Sequence, residues 1–322
     1  DAHRFTHWLS VATAINIKNY LRVQASALGT FVNEEARDRD EAPNTSKFTP
    51  AVFISYRPSQ VVDLRFNAFY KQSYRYPTFN DLYYTDMGNA YLKPELAKQH
   101  NVGLSFAQPF RVANLRGSEF RINADYYYNR ISDKIIAYPK GQQFRWTMLN
   151  LGLVKINGLD VNAQLHFVLP KNFYLTAKAQ YTYQTAIDVT DPNDSYYGHQ
   201  IPYIPWHSGS AVGMFGWQND WQQYGLNYSF IYVGERYNQQ ENIIYNYTQP
   251  WYTHDLSIFG EWNIQPISHS RKAASNRQNA VQYPIVLRLA LDINNLLSQD
   301  YDVILNYPMP KRNYKCTISI TY

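Results

Sequence analysis

The chain has 322 residues, of which 30 are Tyr, 16 Phe and 7 Trp, while only 17% are charged. Its net charge of +5 is spread along the chain, with no basic block of the kind that tracks a phosphate backbone, so a nucleic-acid partner is not expected. The single cysteine, Cys316, excludes a disulfide framework and a cysteine-built zinc site.

The aromatic excess suits a protein with one apolar surface and two polar rims, because Tyr places a ring in one phase and a hydroxyl in the other. A sugar-binding β-protein shows the same bias. The opening Asp1-Ala2-His3-Arg4 has neither the basic nor the apolar run of a secretory leader. No window approaches the roughly 18 consecutive apolar residues of a membrane-spanning helix. A β-barrel is untouched by that test, since it crosses with strands of about 9–11 alternating residues.

Period-two alternation recurs along the chain. It predicts thirteen strands near 4–17, 20–33, 48–57, 61–77, 96–110, 118–132, 155–168, 173–190, 203–217, 221–238, 250–264, 285–304 and 312–322. Val62, Leu64, Phe66, Ala68 and Tyr70 oppose Arg65, Asn67 and Lys71, and Phe120, Ile122, Ala124, Tyr126 and Tyr128 oppose Arg121, Asn123 and Asp125. Leu159, Val161, Ala163, Leu165 and Phe167 oppose Asp160, Asn162, Gln164 and His166. In the last strand Tyr314, Cys316, Ile318, Ile320 and Tyr322 oppose Lys315, Thr317, Ser319 and Thr321. No comparable run has helical spacing, so the fold class is all-β.

Connection lengths alternate too. Short links contain Lys18-Asn19, Arg57-Pro58-Ser59-Gln60, Leu169-Pro170-Lys171-Asn172 and Gln218-Asn219-Asp220, whereas long ones run roughly 34–47, 78–95, 133–154, 191–202 and 239–249. Short turns at one end and long loops at the other describe a transmembrane antiparallel up-and-down β-barrel with its long loops outside the cell. The basic link 265–284, with Arg271, Lys272 and Arg277, is a long one where a short turn belongs. Bare alternation fits a water-soluble barrel as well. Aromatics near strand ends, such as Tyr20, Tyr183, Trp217, Trp221 and Trp262, favour lipid outside and a polar lumen. An odd strand count points to a chain that begins partway round a larger barrel, and a miscount by one leaves a complete 12- or 14-stranded porin.

The segment Tyr74-Arg75-Tyr76-Pro77-Thr78-Phe79-Asn80-Asp81-Leu82-Tyr83-Tyr84, followed by Gly88-Asn89-Ala90-Tyr91-Leu92-Lys93-Pro94-Glu95, resembles a signature of TonB-dependent outer-membrane receptors. Asn157-Gly158-Leu159-Asp160 resembles that family's recurrent strand start. Asn294-Asn295-Leu296-Leu297, with Tyr301 and Tyr307-Pro308-Met309-Pro310-Lys311-Arg312, resembles its penultimate hairpin, with Lys311 where a Gly is usual. The terminal aromatic Tyr322 matches the signal read by the barrel-assembly machinery. The resemblance implies the later strands of a 22-stranded barrel, residues 1–322 forming one partial barrel domain, with the plug domain outside this chain. It also implies an outer-membrane location in a Gram-negative cell, no catalytic role and no cofactor. Its implied partners are the TonB energy-coupling complex, the lipid bilayer, a chelate cargo such as iron-siderophore or cobalamin, and a surface lipoprotein.

Haem receptors of that family place a His between the Arg-x-Pro and Asn-x-x-Leu elements. None lies between Pro77 and Asn89, and His100 comes too late, which disfavours haem. The loop aromatics Tyr83, Tyr84, Tyr91, Tyr196, Tyr197, Tyr245 and Trp251, with Asp86, are the candidate cargo contacts; girdle and loop packing is the plainer reading of each. The acidic loop with Glu34, Glu35, Asp38, Asp40 and Glu41 is interleaved with Arg37 and Arg39 and reads as a solvated loop before a cation site. His3 and His7 form the one close histidine pair, and no metal site is expected there. His166 reads as a polar wall residue. Nucleophile elbows, phosphate loops and His-Glu-x-x-His are missing, so no catalytic residue is named.

Overall fold

Strict alternation commits each segment to a strand with two unlike faces, and antiparallel pairing joins like face to like face. A computed structural model describes residues 2–36, 44–85, 87–112, 115–139, 146–264 and 285–321. The strands are β1 (Ala2–Ile17), β2 (Leu21–Ala36), β3 (Thr45–Tyr56), β4 (Asp63–Arg75), β5 (Glu95–Val112), β6 (Leu115–Pro139), β7 (Trp146–Val168), β8 (Phe173–Asp188), β9 (His207–Gln218) and β10 (Gln222–Val233). A two-residue ladder of β11 (Arg236–Tyr237) and β12 (Tyr247–Thr248) precedes β13 (Trp251–Ile264), β14 (Ile285–Asn294) and β15 (Asn313–Thr321). One short helix, α1 (Phe79–Tyr83), lies between β4 and β5. Among the described residues no helix is long and apolar enough to cross a membrane.

Thirteen strands form one antiparallel sheet in chain order, with β11 and β12 outside it and β1 and β15 at its edges. The register carries apolar residues through neighbour after neighbour: Phe167, Leu175, Phe215, Leu226, Ile258, Leu291 and Cys316 stand in one cross-strand row over seven strands. On that face Val102, Ile258 and Ile318 are 62%, 57% and 69% exposed. The other face holds Asp125 opposite Asp160, whose Oδ1 accepts from Thr182 Oγ1 at 2.7 Å. A continuous exposed apolar face backed by a charged one has the sense of a lipid-facing wall around a polar lumen.

The structure differs from expectation at the long-loop end. β14 stops at Asn294 and does not reach 304, because Asn295 turns at φ 50° and its amide bonds the chain back on itself. Asn295 Nδ2 donates to the Gln299 and Pro310 carbonyls at 2.8 and 3.3 Å, and Asn295 Oδ1 accepts from Gln299 N at 2.8 Å. Residues 133–154, read as loop, largely continue β6 and β7, which pair out to Pro139 and Trp146. Alternation fades there because Ile135 and Leu151 are buried against loops and not against lipid. The strand read as 203–217 begins at His207, and the one read as 221–238 ends at Val233. The basic link 265–284 and Tyr322 lie outside the described residues.

Leu289 sits mid-strand on the apolar face, between Gly260 and Ile318. Leu289→Arg should therefore cost about 2–4 kcal/mol of folding stability in lipid, the cost of a cation at the mid-membrane level of a barrel wall. Reversible denaturant unfolding from phospholipid vesicles measures it. A change near zero would mean that Leu289 does not face lipid.

Candidate functional site

At the long-loop end, β4 and β5 are closed by a latch built from the Arg-x-Pro and Asn-x-x-Leu residues. Arg75 and Glu95 are cross-strand partners where the two strands part. The Arg75 guanidinium donates to Glu95 Oε2 at 2.7 Å and to Asp81 Oδ2 at 3.0 Å, and both carboxylates are buried. A buried carboxylate without such partners is costly, and a planar guanidinium can serve two at once. Asp81 also closes a capping box on α1: Asp81 N donates to Thr78 Oγ1 at 3.2 Å, and Thr78 N donates to Asp81 Oδ2 at 2.9 Å.

The other motif residues finish the latch. Pro77 is fully buried. A Cβ at Gly88 would stand 2.6 Å from Tyr84 N and 2.8 Å from the Leu82 carbonyl, both main chain, so only glycine fits. Asn89 N donates to the Asp81 carbonyl at 2.8 Å, and Asn89 Nδ2 reaches across to the Met148 carbonyl at 3.1 Å. Leu92 packs with Leu82 and Ile135. Beyond it Lys93 N donates to Asn150 Oδ1 at 2.8 Å, and Pro94 leads into β5. A second clamp joins β1 and β2 to the same loop. Arg4 pairs with buried Glu34, lies 4.3 Å over the Tyr76 ring and 4.6 Å over the Phe79 ring, and Tyr83 Oη donates to Glu34 Oε1 at 2.5 Å. Burial, helped by the Glu34 charge, pushes the Tyr76 hydroxyl up to about 12, so it stays neutral.

Further along the sheet at this end lies a cluster of three loops. Arg236, 2% exposed, donates to the carbonyls of Gln249, Asp302 and Val303 at 3.3, 2.7 and 3.2 Å. Burial lowers its pKa, with Tyr203 and Asp302 opposing the shift. Gln200 is buried between β8 and the loop that follows it, its Oε1 accepting from Ala186 N at 2.7 Å and its Nε2 donating to the Ile204 carbonyl at 3.2 Å, while Gln200 N donates to Asn242 Oδ1 at 2.7 Å. Gln249 and Asp302, which Arg236 holds, border a cavity of about 360 Å³ lined by Thr248, Trp251 and Tyr301 among others. Trp251 stacks on Tyr301 with ring centroids 4.4 Å apart. Its Nε1 and the Thr248 Oγ1 are buried without a hydrogen-bond partner among the described residues.

Residues 6–296 match the family model described as TonB dependent receptor-like, β-barrel. The chain belongs to this family of TonB-dependent receptors. Over 110 residues, 34% of this chain and 16% of the relative, it is 36% identical to a vitamin B12 transporter BtuB of Vibrio vulnificus. Over 239 residues, 71% of this chain and 34% of the relative, it is 24% identical to that of Photobacterium profundum. Among solved structures, the ferric preacinetobactin receptor BauA of Acinetobacter baumannii shares the fold at TM-score 0.64 and 13% identity, covering 99% of this chain and 43% of that one. The copper transporter OprC does so at TM-score 0.65 and 14% identity, covering 99% and 48%. The chain thus spans less than half the length of each of these relatives.

In this TonB-dependent receptor the candidate cargo contacts divide. Tyr83 is tied into the latch through Glu34 and stacks on Phe79. Tyr84, Tyr91, Tyr197 and Tyr245 stand exposed on the loops, and Tyr196 is half-buried beside Asp194. Trp251 opens onto the cavity. Asp86, and Asp38, Asp40 and Glu41 of the acidic loop, lie outside the described residues. His166 is on the polar face, with Nδ1 3.0 Å from Thr176 Oγ1. Arg236 and Gln200 carry no signal of these roles in the sequence, and Tyr301 is marked there only as part of the hairpin motif.

Two substitutions test this architecture. Arg75→Ala leaves two buried carboxylates short of a partner. It should lower the local stability of residues 76–94 by about 1–3 kcal/mol, below the full value for a buried pair because the Arg75 side chain is 46% exposed. Hydrogen exchange would show faster exchange in that loop with the sheet protected as before; unchanged exchange would deny the latch. Arg236→Met strands three carbonyls, at about 1–3 kcal/mol for a buried group left unsatisfied. It should open residues 295–312 to limited proteolysis while leaving the latch intact.

Proposed function

We propose that the chain is the later part of the barrel of an active transporter that carries a scarce metal chelate across the outer membrane into the periplasm. The family match over 6–296, coinciding with a mouth of tied-down loops around an aromatic-lined cavity, carries this reading. Rigid aromatics and a few convergent polar groups suit a bulky, partly apolar chelate. The two relatives named as vitamin B12 transporters make cobalamin the first cargo to test, with ferric siderophores the second. Tyr84, Tyr91, Tyr197, Tyr245 and Trp251 are the contacts we propose. Energy enters from the TonB complex through a plug domain outside these 322 residues.

The test is uptake of radiolabelled cyanocobalamin and of a panel of ferric siderophores by cells expressing the full-length protein. Saturable uptake of one cargo, abolished by deleting tonB or by a protonophore, is the expected result. Non-saturable entry that survives both treatments would make the protein a porin and overturn the proposal.

A further inference from the structure

We propose that the outward wall of β5, β6 and β7 holds a binding site for the phosphates of an anionic lipid headgroup, formed by Lys98, Arg130 and Lys155. This rests on the membrane reading above. The register places the three cations directly opposite one another, Lys98 against Arg130 and Arg130 against Lys155. Directly opposed residues have Cβ atoms about 4.5–5.5 Å apart, a spacing at which like charges destabilise a sheet. Among the described residues none of the three forms an ion pair. Nor does any outward position of β4 to β8 carry Asp or Glu, although the inward face of the same strands mixes both signs, as in Arg75, Glu95, Asp125 and Asp160. Three cations side by side with no carboxylate on their face call for an anion from outside the protein.

The rows beneath show which anion. Successive rows on one face are about 7 Å apart. The lowest of three, Val102, Tyr126 and Leu159, is apolar and aromatic; the next, His100, Tyr128 and Asn157, is aromatic and amphipathic; the third is Lys98, Arg130 and Lys155. Tyr70 extends the middle row, its ring 4.9 Å from that of His100. The order apolar, amphipathic, cationic is that of acyl chain, interface and phosphate in one lipid leaflet. Lys98 and Arg130 are exposed and Lys155 half-buried, so the row is open to such a headgroup. Free phosphate would need no graded wall below it, and we assign the site to lipid.

The experiment uses the full-length protein in nanodiscs containing either bisphosphorylated lipid A or its dephosphorylated counterpart, with bound lipid counted by native mass spectrometry. The wild type should retain the phosphorylated lipid in excess inorganic phosphate and release the dephosphorylated one. The Lys98→Gln/Arg130→Gln/Lys155→Gln variant should lose affinity for the phosphorylated lipid by about 100-fold, from the usual contribution per basic residue. A matched variant of the inward face, Arg65→Gln/Lys71→Gln/Lys178→Gln, should bind like the wild type, and so should the charge-preserving Lys98→Arg/Arg130→Lys/Lys155→Arg. Equal retention by wild type and the outward triple variant, or equal binding of both lipids by the wild type, would overturn the site while leaving the membrane reading intact. A protein that stays monodisperse in buffer without detergent or lipid would overturn both.

Discussion

The constraint on which everything else depends is backbone pairing in a solvent that offers no hydrogen bonds. In hydrocarbon each unpaired N–H or C=O is costly, so a strand survives only with a partner on either side. The eleven inner strands of the sheet meet that demand, β1 and β15 being paired on one side within it, and pairing in register then makes side-chain sorting automatic. Once Phe167 faces outward, Leu175, Phe215, Leu226, Ile258, Leu291 and Cys316 must follow along the row. A one-residue slip anywhere would turn a whole strand's apolar set into the lumen and its charges into lipid. The long register, with sixteen consecutive partners between β1 and β2, is what holds the two faces apart.

At the long-loop end the problem reverses, because loops leave the ladder and their polar groups need local partners. Two solutions appear. Near β4 and β5 a single guanidinium, Arg75, gathers two buried carboxylates, and a helical turn closes on one of them through its capping box. Near β13 another guanidinium, Arg236, gathers three main-chain carbonyls, one from its own connection and two from the β14–β15 loop. Both place an always-charged, many-donor side chain where chain segments converge. The Arg236 contacts border the cavity lined by Thr248, Trp251 and Tyr301. The loop aromatics therefore divide: Tyr83 belongs to the latch, whereas Tyr84 and Tyr91 stand exposed.

The sheet was legible in the sequence because its two solvents differ so sharply. Leu159 through Phe167, and Tyr314 through Ile320, alternate without exception, and their strands lie where alternation put them. The latch was legible only as a motif. The family resemblance marks Arg75, Gly88 and Glu95 as a set, but that a Cβ at Gly88 would meet the Leu82 carbonyl becomes visible only in three dimensions. The extension of β6 and β7 was hidden because Ile135 and Leu151 meet folded loops, so both faces there read apolar. The turn at Asn295 was read as strand because the apolar Leu296 and Leu297 follow it. Arg236 was invisible: its ligands are carbonyls, which every residue has.

The two faces of this sheet should meet different surroundings, lipid on one side and water or plug on the other. Single nitroxide labels at 159 through 166 of β7, in a full-length Cys316→Ser background reconstituted in bilayers, test it directly. Collision with oxygen, which concentrates in lipid, should peak at 159, 161, 163 and 165, and collision with a water-soluble nickel chelate should not. The even positions, which carry Asp160, Asn162, Gln164 and His166 in the native chain, should show the opposite preference or shielding from both. Accessibility without a period of two, or with its phase reversed, would contradict the barrel wall described here.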